Sequence, residues 1–216
     1  MLSRRHERGD TIVEVLFAVA VFALVVIGSL TLMNQGTATA QRSLESTLVR
    51  QQMDAQAETI RMMHESYVAV YQPGLTFNLT DAQTSPAEEW YRMIRYVQTN
   101  NVTSSTQFGY CPAYTSGDMP PAGSFVVDPQ TVRVITRDRF PNSMRFPSVW
   151  AQVTRDNSGV VTAEGLWIEA IRSGPSADPA QSGIGFIDFH IRACWDSIGM
   201  QDPMHLGTIV RLYDPR

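Results

Sequence analysis

The N-terminal segment holds the residues with the most specific chemistry in the chain. Glu14 stands at the entrance of an apolar run, and no charged residue occurs from Val15 to Met33. At about 1.5 Å per residue this run makes a helix of roughly 28 Å, close to the ~30 Å hydrocarbon thickness of a bilayer. A carboxylate inside such a span costs about 2.5–3.5 kcal/mol even on insertion scales. Glu14 is therefore a functional candidate that needs a positively charged partner.

The residues that precede Glu14 form a recognisable pattern. A short leader with three arginines, at positions 4, 5 and 8, is followed by Gly9-Asp10-Thr11-Ile12-Val13-Glu14 and then by the apolar run. This arrangement resembles the class III signal peptide of type IV pilins and of the pseudopilins in type II secretion and competence systems. The resemblance covers about residues 4 to 40. Asp10 departs from the family, which usually has phenylalanine there, and the apolar helix lacks the proline that many pilins carry.

The resemblance implies how the chain is processed and assembled. A prepilin peptidase would cut after Gly9, the new amine of Asp10 would be methylated, and Glu14 would pair with the N-terminal amine of a neighbouring subunit. The implied partners are this peptidase, other pilin subunits in a helical filament, and an assembly ATPase with its membrane platform. The implied function is that of a structural subunit, a minor pilin or pseudopilin, of a type IV pilus or of a type II secretion or competence-like filament.

Two other interpretations of this segment remain open. An ordinary secretory signal peptide fits the basic start, the apolar core and the small-residue site at Ala38-Thr39-Ala40, and would release a secreted binding protein that begins at Gln41. The apolar run is, however, longer than the usual core of about 7–15 residues. A plain single-pass anchor explains the length of the run but neither Gly9 nor Glu14.

Charge indicates the location of the chain. The N-terminal arginines predict a cytoplasmic N-terminus, so the rest of the chain would lie outside the cytoplasmic membrane before assembly. The assembled filament would be extracellular or periplasmic. The net charge is −4 and no basic patch is visible, which argues against nucleic-acid binding. All 17 basic residues are arginines, which excludes pilus linkage through lysine and Schiff-base catalysis.

The chain has two cysteines, Cys111 and Cys194. An even pair in an extracytoplasmic domain predicts one disulfide, and the alternative is two buried thiols in a sheet core.

The remaining residues give little sign of catalysis. The sequence contains no Gly-x-Ser-x-Gly, phosphate loop or His-Glu-x-x-His motif. His190 and His205 could pair with Asp188 or Asp202, which leaves an anchored enzyme as an alternative, but a histidine on the polar face of a strand is more often solvated. Asp196 and Asp202 flank a loop without the spacing of a calcium site. We predict no catalytic residue, no metal site and no cofactor.

The pattern along the chain predicts an α+β fold. Residues 41–71 contain no glycine or proline, and the apolar helix is expected to continue through them as an amphipathic stem that stops at Gln72-Pro73-Gly74. Its expected apolar stripe consists of Leu44, Leu48, Ala55, Ile60, Met63, Tyr67 and Val70, while Glu45 is counted among the solvated or subunit-contacting charges. A second helix is predicted after Ser85-Pro86, with Glu88 completing a capping box. The expected divisions are 1–9 (leader), 10–33 (membrane or filament-core helix), 34–72 (stem), 73–130 (short helix and variable loops) and 131–216 (sheet).

Four to six antiparallel strands are expected in the C-terminal part. The predicted segments are 131–137, 149–155, 160–163, 166–172, 185–195 and 208–213, whereas the chain from Asn101 to about Asp128 is expected to be loop. In the strongest segment, 185–195, apolar residues at the odd positions 187–195 alternate with Asp188, His190, Arg192 and Cys194. The pilin resemblance implies that the long helix packs on this sheet.

Overall fold

A computed structural model describes residues 10–74, 76–77, 85–100, 111, 121–137, 150–155, 161–173 and 185–215. Two helices, α1 (Asp10–Val70) and α2 (Pro86–Asn100), precede the strands. The described strands are β1 (Phe125–Asp128), β2 (Arg133–Thr136), β3 (Gln152–Arg155), β4 (Val161–Glu164), β5 (Leu166–Ser173), β6 (Phe186–Trp195) and β7 (Met204–Tyr213). The chain is α+β, as predicted. It divides into two compact units, one ending at Ser43 and one beginning at Leu44.

Helix α1 ends close to its predicted stop. Its last residue is Val70, and a turn follows in which Gly74 has a φ of 87°, a left-handed conformation that favours glycine. Pro73 cannot continue a helix because it lacks a backbone N–H. The stop predicted from the proline and glycine is therefore confirmed.

Helix α2 begins with the predicted capping box. The backbone N–H of Glu88 donates to Ser85 Oγ at 3.3 Å, and the N–H of Ser85 donates to the Glu88 carboxylate at 2.6 Å. These two bonds satisfy backbone donors that the first turn of a helix leaves free. The buried face of α2 includes Trp90, Met93 and Val97.

Five of the described strands form one antiparallel sheet in the order β2-β1-β5-β6-β7, and β3 pairs with β4 in a separate hairpin. Strands β5 and β6 are in register from Leu166↔Ala193 to Ser173↔Phe186. Strands β6 and β7 are in register from Phe186↔Tyr213 to Trp195↔Met204. Strand β1 lies in the stretch that the sequence indicated to be loop, within the range 73–130, so that prediction was wrong. Its four residues are all buried, and so short an apolar run gives no alternation to detect.

Strand β6 is buried on both faces. The predicted alternation is confirmed on one side, where Ile187, Phe189, Ile191, Ala193 and Trp195 lie in the main core. On the other side the expectation of a solvated face was wrong. His190 is only 9% exposed there and Arg192 only 4%. On this same face lie Trp167 and Glu169 of β5, in register with Arg192 and His190, and the disulfide between Cys194 and Cys111.

The second half of α1 packs on the sheet through a stripe that differs from the predicted one. Ile60 and Met63 are fully buried as expected, but Leu44 and Val70 are exposed. The stripe is instead made by Glu45, Val49, Met53, Gln56, Ala57, Ile60 and Met63. Two polar residues thus occupy positions that a hydrophobic pattern would leave out.

Gln56 explains how a polar residue fits in this stripe. Its side chain donates from Nε2 to the carbonyl oxygen of Val127 at 2.6 Å and accepts from the N–H of Val127 at 2.7 Å. Strand β1 pairs with β5 only at Phe125↔Ile168, so Val127 has no strand partner on that side. The amide of Gln56 takes the place of a missing peptide group and satisfies both buried backbone groups.

The substitution Gln56→Leu should destabilise the domain strongly. It would leave the N–H and C=O of Val127 buried without partners, at about 1–3 kcal/mol for each group. We expect the free energy of unfolding to fall by about 2–4 kcal/mol, measured by urea denaturation of the full chain in detergent with tryptophan fluorescence. The control is Gln51→Leu, at an exposed position of the same helix, which should change stability by less than about 0.5 kcal/mol. Equal losses for the two variants would contradict the role of Gln56.

Candidate functional site

The N-terminal end of α1 carries the residues that the sequence singles out. Gly9 lies outside the described residues, and of Asp10 only the backbone is described, as the first residue of the helix. Glu14 follows one turn later with an exposed side chain. No described residue forms a hydrogen bond or ion pair with its carboxylate. The described part of the chain therefore brings no cation to Glu14 and leaves this carboxylate available to another molecule.

The helix after Glu14 presents apolar side chains on every side. Among the described residues, α1 is the one helix that is long and apolar enough to cross a membrane by length and composition, and none of its most apolar window is buried. Phe17, Phe22 and Leu24 are examples of large side chains about 70% exposed, at 72%, 69% and 70%. Contiguous apolar surface of this extent must be covered by lipid or by other protein.

The hydroxyl groups in this segment find partners within the helix. Ser29 Oγ donates to the carbonyl oxygen of Val25 at 2.8 Å, and Thr31 Oγ1 donates to that of Ile27 at 2.9 Å. Such bonds to the preceding turn let serine and threonine lie in an apolar medium. Between Ile12 and Met33 Glu14 is thus the polar side chain whose requirements the helix does not meet itself.

The expected disulfide is present between Cys111 and Cys194, whose Cα atoms are 5.9 Å apart. Cys194 lies on β6 beside Trp167 of β5, and both side chains are buried. The bond therefore fixes Cys111 to the face of the sheet opposite α1.

Asp188 was a candidate partner for His190 but is bound by an arginine. Arg211 donates to both of its carboxylate oxygens at 2.7 Å, from Nε and from one terminal nitrogen. These hydrogen bonds lower the pKa of Asp188 below its ordinary value, against a smaller opposing effect of burial. Arg211 also lies 4.0 Å over the ring of Phe186. The pair is a cross-strand ion pair on β6 and β7 rather than part of a histidine–aspartate dyad.

His190 lies in a charged layer on the same face. Its neighbour in register on β5 is Glu169, which accepts a hydrogen bond from Trp167 Nε1 at 2.7 Å. Burial and the charge of Arg192 lower the pKa of the His190 imidazole below its ordinary value of 6.5, while the nearby carboxylates act in the opposite direction. Within the described ranges no three His, Cys, Asp or Glu side chains are placed to hold a metal ion, and this includes the surroundings of Asp196 and Asp202.

Glu45 is a structurally important residue whose burial the sequence pattern did not predict. Its carboxylate accepts hydrogen bonds from Trp195 Nε1 at 3.1 Å and from Ser197 Oγ at 2.6 Å. It is 9% exposed, so its assignment to the solvated charges of the stem was wrong. The spacing of four residues from Glu45 to Val49 and from Val49 to Met53 was the available signal.

The lowered pKa of His190 gives a testable pH dependence. In the folded chain the imidazole should titrate below 6.5, whereas in the urea-unfolded chain it should titrate at about 6.5. Between these two values the unfolded state binds more protons, so stability is lost as the pH falls through this window. Histidine NMR titration of the folded and unfolded chain would measure the difference.

The variant His190→Gln should reduce the loss of stability in that window, because glutamine does not titrate there. His205→Gln, at an exposed position of β7, is the control for the loss of a histidine. A wild-type imidazole that titrates at the same pH in both states would contradict the prediction.

Comparison with protein-family models, curated proteins and solved structures finds no match to this chain. The architecture itself is pilin-like, because a long apolar N-terminal helix is followed by an antiparallel sheet on which its second half packs.

Proposed function

We propose that this chain is a structural subunit, a minor pilin or pseudopilin, of a type IV pilus or of a type II secretion or competence-like filament. The observation that carries the proposal is Glu14, a carboxylate without a described partner at the start of a helix that is otherwise free of charge as far as Met33. The pilin-like architecture supports it. The proposed role is assembly and not catalysis.

The precursor would reside in the cytoplasmic membrane through residues 10–33, with the sheet domain outside. A prepilin peptidase would remove the leader after Gly9, which makes Asp10 the first residue and creates one α-amine per subunit for methylation. This ammonium group is the positive charge that Glu14 lacks within the described part of its own chain. A pair between Glu14 of one subunit and the amine of another would set the stagger between them.

Assembly would exchange lipid for protein around the apolar helix, driven by an assembly ATPase and its membrane platform. Because an α-helix turns by about 100° per residue, Gly28 lies on the same helical face as Glu14. Nothing lies within 4 Å of the position that a Cβ atom of residue 28 would occupy. Small residues at such positions let helices approach closely in apolar surroundings. The same face therefore offers close packing together with a charge that fixes the register.

The continuity of α1 favours retention of the apolar segment. The helix runs through Ala38-Thr39-Ala40 without a break and continues into the stripe that packs on the sheet. Cleavage after Ala40 would cut within this helix, close to Glu45 and its hydrogen bonds. Removal of the leader at Gly9 leaves all of α1 in the mature chain.

The N-terminal residue of the mature protein tests the processing step. Mass spectrometry of the protein from native membranes or surface fibres should find a chain that begins at Asp10 with one added methyl group. A start at Gln41 would instead indicate a secreted domain, and an intact Met1 in cells with an active peptidase would indicate a plain anchor. Either of these results would contradict the proposal.

The substitution Glu14→Gln tests the assembly step. We expect normal leader removal and normal membrane levels but a drop of roughly 100-fold in the fraction that enters filaments, because a buried charge that loses its partner costs about 3–5 kcal/mol. Immunoblots of sheared filaments against whole membranes would measure this fraction. Ser29→Ala is the control, since it removes a hydroxyl that bonds only within the helix. Equal entry of Glu14→Gln and wild-type subunits would exclude the pairing role.

A further inference from the structure

Within the part of the chain that the structure describes, the last strand of the main sheet has an open edge. Strand β7 pairs with β6 along its whole length and is the terminal strand in the sheet order. The N–H of Asp214 donates to the carbonyl oxygen of Gly185 at 2.9 Å, which fixes the alternation of the ladder. Even-numbered residues of β7 therefore bond to β6, and the backbone groups of the odd-numbered residues, from His205 to Tyr213, point away from the sheet.

Little in the described chain covers this edge. At its far end the carbonyl oxygen of Tyr213 is bonded to His64 Nε2 at 2.9 Å. No described residue bonds to the outward backbone groups of Gly207 or Ile209. At the opposite edge of the sheet a side chain does bond to an outward backbone group. There the N–H of Val134 on β2 donates to the carboxylate of Glu89 on α2 at 3.1 Å.

Strand β7 also lacks the features that usually protect an edge. From Met204 to Tyr213 it contains no proline, lysine or acidic residue. Arg211, its one arginine, is held on the face of the sheet by Asp188 and Phe186. A ten-residue strand without these devices is available for pairing with another extended chain.

A cavity of about 270 Å³ lies beside this edge. One wall is made by Arg50, Met53 and Asp54 of α1, and the other by Leu206, Gly207 and Thr208 of β7. Met53 and Leu206 supply its apolar lining, and Arg50 and Asp54 are exposed charges that also line it. A strand added along β7 would direct every second side chain towards this side of the sheet, where the cavity can receive one.

We propose that the open edge of β7 and this cavity form a groove that binds an extended segment of another polypeptide as a sixth strand, with one aliphatic side chain inserted beside Met53. A row of free N–H and C=O groups is complementary to an extended backbone, and the cavity would select the side chain. The inference concerns a partner beyond the filament contacts of Glu14 and does not depend on them.

A second copy of β7 fits this groove less well than a free segment does. The side chains of β7 on the cavity side include Val210, which is 4% exposed in the core of its own chain, and Leu206, which packs against that core. In a second copy these side chains would already be packed in the core of that copy and could not enter the cavity. The occupant is therefore a segment that is not already packed in a sheet.

The test uses the full chain in detergent micelles and a labelled heptapeptide, acetyl-Thr-Val-Thr-Leu-Thr-Val-Thr-amide. Fluorescence anisotropy should show saturable binding, and hydrogen exchange of the Gly207 and Ile209 amides should slow at least tenfold when the peptide is bound. The same peptide with N-methyl groups on alternate amides should bind at least tenfold more weakly, because it cannot form the edge ladder. Equal binding of the two peptides would overturn the proposal.

Two matched substitutions locate the binding site. Asp54→Trp should fill the cavity and weaken peptide binding at least tenfold, whereas Glu58→Trp, one turn further along the exposed side of α1, should leave it unchanged. Ile209→Pro removes an outward N–H without removing a bond to β6 and should also weaken binding, with near-UV circular dichroism to show that the fold is retained. Undiminished binding by both Asp54→Trp and Ile209→Pro would overturn the proposal. Protection of Gly207 that rises with protein concentration alone would show pairing between copies and overturn it as well.

Discussion

The docking of the second half of α1 on the sheet is the interaction on which the rest of the fold depends. Apolar side chains from Val49 to Met63 supply the buried area, but that burial is not directional and would tolerate sliding of the helix. Glu45 and Gln56 remove this freedom, since each is hydrogen-bonded to a defined partner on the sheet side. Because a buried polar group without its partner is costly, these two residues fix the position of the helix along the sheet.

The requirement that buried polar groups be hydrogen-bonded also applies to the backbone at the edges and in the interior of the sheet. Val127 lacks a strand partner on one side and is satisfied by Gln56, while Val134 at the outer edge is satisfied by Glu89. Side chains of the two helices thus complete the backbone hydrogen bonding that the short strand β1 and its neighbour leave open. On β7 the described chain provides such a bond at Tyr213 but not at Gly207. The backbone groups at Gly207 therefore remain able to pair with another strand.

The sequence predicted those parts of the fold that rest on periodic or local signals. The stop of α1 at Pro73-Gly74, the capping box of α2 and the alternation of β6 depend on neighbouring residues, and each is found. The hydrogen bonding of Val127 on β1 and the burial of Glu45 depend on partners more than 70 residues away, which no local pattern reveals. The candidate assembly site is a different case. Glu14 was identified by its residue type in an apolar run, and the described part of the chain contains no partner for its carboxylate.

Among the described residues, the apolar half of α1 and the edge of β7 both lack a covering partner, and they differ in what can cover them. The apolar half of α1 can be covered by lipid or by any helix of similar character, because the hydrophobic effect scales with area and not with pattern. Selectivity must then come from polar groups that tolerate few arrangements. Glu14 requires a cation at one depth of an apolar medium, and the edge at Gly207 requires a backbone in register. The described chain thus combines a general apolar surface with two separate polar places, and at each of them a partner must match in detail.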